Sequence, residues 1–73
     1  MQKNKNCDDY LTARERRIMM LVSCGKTREE IAKSMSLSGA TVKLTVLNVR
    51  EKLDAVNTPH AVALAFSRGI ISF

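Results

Sequence analysis

The sequence contains no tryptophan, and its only aromatic residues are Tyr10, Phe66 and Phe73. Its core must therefore be aliphatic. A chain rich in Ala, Leu, Met and Val with one proline, Pro59, points to an all-α domain. Cysteine is scarce: Cys7 and Cys24 share no CxxC spacing, and the single histidine, His60, is too isolated to complete a ligand set. No metal site and no other cofactor are expected. Cys24 ends an apolar helical pattern and reads as a small core hydrophobe. Long hydrophobic runs are missing too. The longest, Ile18 to Val22, falls far short of the ~20 residues that a membrane helix needs. The N-terminal MQKNKNCDDY lacks the apolar centre of a signal peptide. No membrane is expected, and a reducing, cytoplasmic setting is the default. No Gly-rich phosphate loop, nucleophile–base pair or shared-face carboxylate pair emerges, so the chain does not read as an enzyme. Acid is also in deficit, with 7 Asp+Glu against 12 Lys+Arg and a net charge of +5. Such a balance favours a polyanionic partner, such as nucleic acid or an acidic membrane surface.

What is present is punctuated helix. At 73 residues the chain is one small domain. A domain of this size buries only about 60% of its unfolded surface, so dimerisation would help it. Residues 1–10 are polar and aperiodic and read as a lead-in or linker; 11–73 form the domain. Thr12 and Glu15 fit a capping box that opens the first helix, and Ile18, Met19 and Val22 then repeat at helical spacing. Arg14, Arg16 and Arg17 oppose the dipole of that helix. They are there to pair with acids such as Glu15 or to touch phosphate, not for helix stability. Gly25 is a left-handed stop. Thr27 and Glu30 form a second capping box for a short helix that buries Ile31, Ala32 and Met35.

After a turn at Ser36-Leu37, Ser38 caps a third helix, with Leu37 and Val42 placed as a hydrophobic staple. Val42, Val46, Val49 and Leu53 make its core stripe. Its opposite face carries Ala40, Leu44, Leu47 and Glu51. Lys43 and Arg50 flank that face on one side, Thr41 and Asn48 on the other. Asp54 and Asn57 can take a left-handed conformation without glycine. Thr58 is expected to cap the fourth helix, with Pro59 at its first position. There Ala61, Val62, Ala65 and Phe66 face the core, and His60, Ala63, Leu64 and Ser67 lie off it. Gly69 ends the helix, and Ile70 and Ile71 fold back. Two helices joined by a tight turn, the second longer, are the arrangement of a helix-turn-helix.

At this point the residues match a known pattern. Leu11, Thr12, Arg14, Glu15, Ile18 and Met19, then Gly25, Glu30-Ile31-Ala32, Ser38, Thr41-Val42-Lys43 and Lys52-Leu53, follow one another at the spacing of the LuxR/GerE-type DNA-binding domain of bacterial transcription regulators. The tail, with Ala61, Val62, Ala65 and Gly69-Ile70-Ile71, matches as well. The chain resembles that family without gaps from Leu11 to Ile71. The resemblance implies a four-helix domain with its helix-turn-helix at 27–46, and a transcription regulator that binds promoter DNA as a dimer, the third helix in the major groove. It places Lys43, Leu44 and Leu47 against base edges, and Thr41 and Thr45 against phosphate. Thr27, at the start of the second helix, and Arg50, beside Lys43, join the phosphate set. The dimer would form on the fourth helix through His60, Ala63, Leu64 and Ser67. Three positions depart from the family's habit: Thr45 stands where His is usual, Leu47 where a polar or basic residue is frequent, and Asp54 where Gly is usual.

The expected partners are double-stranded DNA, a second copy of the chain, and RNA polymerase or another regulator. A rival reading starts from Leu44 and Leu47. Two outward leucines where charge is expected suit a protein-interaction module of anti-activator type, which docks another regulator on the apolar outer face of the third helix.

Overall fold

Thr12 opens the first helix by exchange: its hydroxyl accepts from the Glu15 N–H at 3.0 Å while its own N–H donates to the Glu15 carboxylate at 2.8 Å. The computed structural model describes residues 11–72; the lead-in at 1–10, with Cys7, lies outside the described residues. Four helices follow in order: α1 (Ala13–Ser23), α2 (Arg28–Met35), α3 (Gly39–Leu53) and α4 (Thr58–Ser67). No strand occurs among the described residues, as the all-α reading expected. The second capping box also forms. Thr27 accepts from the Glu30 N–H at 3.1 Å and donates its own N–H to the Glu30 carboxylate at 2.8 Å. Each box satisfies two N–H groups that a helix start leaves unpaired.

Adjacent positions on α1 serve two halves of one core. Ile18 packs with Ile31 and Ala32 of α2 and Val42 of α3. Met19 packs with Val49 and Leu53 of α3, Ala61 and Ala65 of α4, and the returning Ile70 and Ile71. The first half of α3 is thereby fixed to α2 and the second half to α4. α3 packs on all three other helices, α1 likewise, whereas α2 and α4 barely touch. α1 and α3 thus form the central pair, and α2 and α4 each pack on both of them. Burying a Leu, Ile, Val or Met side chain contributes about 1.5–3 kcal/mol. Leu11, Ile18, Met19, Ile31, Val42, Val49 and Leu53 are all fully buried.

Several local expectations are corrected. The cap of α4 is Asn57, whose side chain accepts from the His60 N–H at 2.8 Å, so Thr58 is the first helical residue and Pro59 the second. Asn57 is accordingly extended, at φ −160°, rather than left-handed. Cys24 is exposed, not part of the core. On α3 the inward stripe is Val42, Thr45, Val49 and Leu53, and Val46 is only half-buried.

Where α2 and α3 end, the chain turns left-handed at Ser36 (φ 57°) and Asp54 (φ 58°). An L side chain at such a position costs about 1 kcal/mol that glycine avoids, and the Asp54 carboxylate also sits at the negative end of the helix dipole. Asp54→Gly is therefore expected to stabilise the domain by about 0.5–1 kcal/mol, read as a raised midpoint in urea. An unchanged or lowered midpoint would assign the Asp54 side chain a stabilising contact of its own.

Candidate nucleic-acid interface

Ser38 sets the start of α3. Its hydroxyl accepts from the Thr41 N–H at 3.1 Å and donates to the Thr41 hydroxyl at 2.9 Å. Gly39 and Ala40 follow, so the leading turn is slim enough to approach another surface closely. With Val42, Thr45, Val49 and Leu53 turned inward, the helical repeat leaves Ala40, Lys43, Leu44, Leu47, Asn48 and Glu51 exposed. Leu44 is 59% and Leu47 39% exposed. The three side chains assigned to base edges, Lys43, Leu44 and Leu47, therefore share one open face along two turns, and Thr41 stands at its edge with a hydroxyl hydrogen still to offer.

The remaining phosphate candidates are placed differently. Thr45 is buried at 6%, and its hydroxyl donates to the Thr41 carbonyl at 2.8 Å. Its one hydrogen is used inside the helix, so it has none for a phosphate oxygen, and the expected contact is withdrawn on that ground. Arg50 folds along the helix toward the α3–α4 loop. Its Nη2 donates to the Val56 carbonyl at 3.0 Å, and its Nε is buried without a hydrogen-bond partner. Its charge stays near the open face, but the guanidinium fork is partly committed. Thr27 is exposed, but its N–H is committed to Glu30, so only its hydroxyl hydrogen remains to donate. The Glu30 carboxyl is held below the usual carboxylate range, first by that N–H, against a desolvation that raises it, then by the nearby Lys26 charge and the Thr27 hydroxyl. Glu30 is thus ionised at neutral pH, and with Glu29 it puts negative charge at the α2 N-terminus, where phosphate was expected.

What sequence reasoning missed lies between α2 and α3. Lys26, Arg28, Lys43 and Arg50 line a cleft of about 370 Å³ together with Leu47, with Glu29 as the one acid. Lys26 follows the Gly25 stop and Arg28 follows the Thr27 cap, so both stand at the start of the first helix of the helix-turn-helix. That position is legible in the sequence; the convergence with Lys43 is not. His60, Ala63, Leu64 and Ser67 sit apart from this face, on α4. Ala63 and Ser67 are exposed, Leu64 is half-buried against the core, and the His60 Nδ1 accepts from the Val56 N–H at 3.1 Å. No group of three or more potential metal ligands occurs among the described residues. No helix there is long and apolar enough to cross a membrane.

The chain is similar to known proteins in sequence and fold. The family model described as bacterial regulatory proteins, luxR family, matches residues 9–65. The transcriptional activator protein EchR of Dickeya chrysanthemi is 36% identical over 76 aligned positions, which cover 97% of this chain and 30% of that protein. The response regulator protein VraR of Staphylococcus aureus is 34% identical over 71 positions, covering 97% of this chain and 34% of VraR. The transcriptional activator protein CarR of Pectobacterium carotovorum is 38% identical over 55 positions, covering 75% of this chain and 22% of CarR. The chain thus spans a third or less of the length of the first two activators, and about a third of VraR. A solved structure of the transcription factor GerE superposes with a TM-score of 0.84 at 27% identity, covering 86% of this chain and 94% of that one.

Proposed function

Because the chain belongs to the luxR family of bacterial regulatory proteins, we propose that it is a DNA-binding transcription regulator, a two-fold dimer that seats α3 of each copy in the major groove of promoter DNA. The observation that carries this reading is the open face of α3. Three helices hold its inner stripe, while Lys43, Leu44 and Leu47 stand exposed on a helix whose leading turn bears only Gly39 and Ala40. Lys43 donates to guanine O6 or N7, and the leucines lie against thymine methyls. Phosphates are met by the Thr41 and Thr27 hydroxyls and by the charges of Lys26, Arg28 and Arg50 around the cleft, which adds Lys26 and Arg28 to the contacts first expected. The α4 face of His60, Ala63, Leu64 and Ser67 joins the two copies, its small residues allowing close helix approach. DNA selected from a randomised pool should then contain inverted half-sites with centres about 34 Å, one helical turn, apart. Selection of single, unpaired half-sites would overturn the dimer.

A second reading is favoured by the exposure of Leu44 and Leu47, 59% and 39%, on a face whose far end carries Glu51 rather than a cation. On it, α3 is an apolar docking face for another regulator. Leu47→Arg separates the two. On the DNA reading it adds a cation at the groove and tightens non-specific binding about two- to tenfold at low salt, with a steeper salt dependence. No change in DNA affinity, together with loss of a protein partner, would favour the second reading.

A further inference from the structure

Between α3 and α4, Val56 is held in place by hydrogen bonds rather than by burial. Its side chain is 74% exposed and lies outside both halves of the core. Its N–H donates to His60 Nδ1 at 3.1 Å, and its carbonyl accepts from Arg50 Nη2 at 3.0 Å. His60 grips the next residue too, donating its backbone N–H to the Asn57 side chain at 2.8 Å. Ala55, just before, is fixed independently: its N–H donates to the Arg50 carbonyl at 2.8 Å, and its side chain packs on the core. The imidazole therefore anchors Val56 on one side, and Val56 anchors the guanidinium on the other. Arg50 needs an anchor, because it borders two hollows of opposite character. One is the cation cleft with Lys26, Arg28 and Lys43. The other, of about 410 Å³, is lined by Leu47, Glu51, Asp54 and Ala55. Asp54 stands four positions on from Arg50, the spacing at which an acid and an arginine on a helix meet. Among the described residues, however, no ion pair joins Arg50 to Asp54 or Glu51. The Arg50 Nε is buried without a hydrogen-bond partner, a cost that a loosely held side chain would relieve by turning.

We propose that His60 is a positioning residue: acting through Val56, its imidazole keeps Arg50 off the two carboxylates and beside the cleft, where the guanidinium charge meets phosphate. The acceptor role of Nδ1 assigns the ring proton to Nε2. Holding the arginine before DNA arrives lowers the ordering cost of binding. The role rests on the DNA reading of α3 and deepens it. His60 stands on the α4 face that joins two copies in that reading, so contact between copies and contact with phosphate are linked through one backbone residue.

The test compares the full chain with His60→Ala, His60→Gln, Arg50→Ala and the double variant His60→Ala with Arg50→Ala. In the free chain, hydrogen exchange of the Val56 amide is followed. His60→Ala should speed that exchange about three- to tenfold, and His60→Gln, whose side-chain carbonyl still accepts, should restore part of the protection. On a mixed-sequence duplex, followed by anisotropy across salt concentrations, His60→Ala should weaken binding about two- to fivefold at an unchanged salt slope, because Arg50 keeps its charge. Arg50→Ala should weaken binding further and flatten the slope by ~1 per copy. Adding His60→Ala to Arg50→Ala should then change nothing more. That result separates positioning of Arg50 from a dimer contact, whose loss would persist without Arg50. A persistent loss in the double variant, or Val56 exchange untouched by His60→Ala, would overturn the proposal and leave the DNA reading standing. Absence of salt-dependent binding by the parent chain would overturn the DNA reading, and the phosphate role of Arg50 with it.

Discussion

Glu15→Ala is expected to destabilise the domain by about 2–3 kcal/mol, lowering the thermal midpoint by about 10–20 °C for a domain of this size. One side chain does two jobs. Its carboxylate caps α1 through the Thr12 N–H, and it accepts from Lys52 Nζ at 2.8 and 3.1 Å, tying the start of α1 to the end of α3 across 37 positions of sequence. Loss of a cap contributes about 1 kcal/mol. Breaking a fully buried ion pair costs about 3–5 kcal/mol. This pair is only partly buried, with side-chain exposures of 28% for Lys52 and 10% for Glu15, so a smaller share applies. Glu15→Gln, which keeps a capping acceptor but loses the charge, should fall between the two.

The same residue makes stability depend on pH. Burial pushes the Glu15 carboxyl up, but the hydrogen bond from Lys52, the Thr12 N–H, the Lys52 charge and the Thr12 hydroxyl together outweigh it and hold the group below its usual 4.5. A carboxyl lowered on folding contributes stability that is fully present above its unfolded value and is lost as pH falls through its folded value. The stability gap between the chain and Glu15→Gln should therefore be constant near neutrality and narrow as pH drops below 4.5. A gap that stays the same down to pH values well below that range would show that Lys52 contributes nothing through charge.

Lys43→Ala is expected to produce the largest loss of DNA affinity. A lysine on a base edge is worth about 1–3 kcal/mol at each half-site. In a two-fold dimer each substitution counts twice, giving about 2–6 kcal/mol, a hundredfold loss or more over most of that range. The loss should be sequence-dependent, relaxing preference at one base pair per half-site. Lys26→Ala should differ in kind: a phosphate contact removed lowers affinity about equally on every sequence and flattens the salt slope by ~1 per site. Lys43 is exposed and caps nothing, so the fold should be unaffected, as circular dichroism would check. Equal losses on specific and mixed-sequence DNA would move Lys43 from the base-reading set to the phosphate set.

The parts of this fold that were legible in the sequence are those fixed by residues three or four apart. Thr12 with Glu15, Thr27 with Glu30, and Ser38 before an apolar repeat announce their helices because capping is local chemistry. The helical period places Leu44 and Leu47 outward with Lys43 on their flank; the family resemblance is what groups the three against base edges. The phosphate role expected of Thr45 came from the family resemblance alone, and no local pattern reports that this threonine satisfies its hydroxyl on the carbonyl four residues back and is buried. The cap of α4 was displaced by one because Asn57 and Thr58 are both capable caps; the reach of the Asn57 side chain to the His60 N–H decides between them. Arg50 reaches six residues along the chain to Val56, further than a wheel considers. The cation cleft joins Lys26 of the α1–α2 connection to residues of α2 and α3, and no pattern within any one helix reports it.

The central claim is that the outer face of α3 meets DNA through charge and close fit. Its most direct test is a fluorescence-anisotropy titration of the intact chain on a mixed-sequence duplex of about three helical turns, repeated across salt concentrations. The predicted result is saturable binding with a micromolar Kd, about 10⁻⁶–10⁻⁴ M near physiological salt, and a log–log salt slope of about −0.9 for each phosphate neutralised. That slope should be shallower in a variant lacking the Lys26 and Arg28 charges. Absence of binding at about 100 μM protein in low salt, or binding indifferent to salt, would contradict the claim and leave α3 as a protein-docking face.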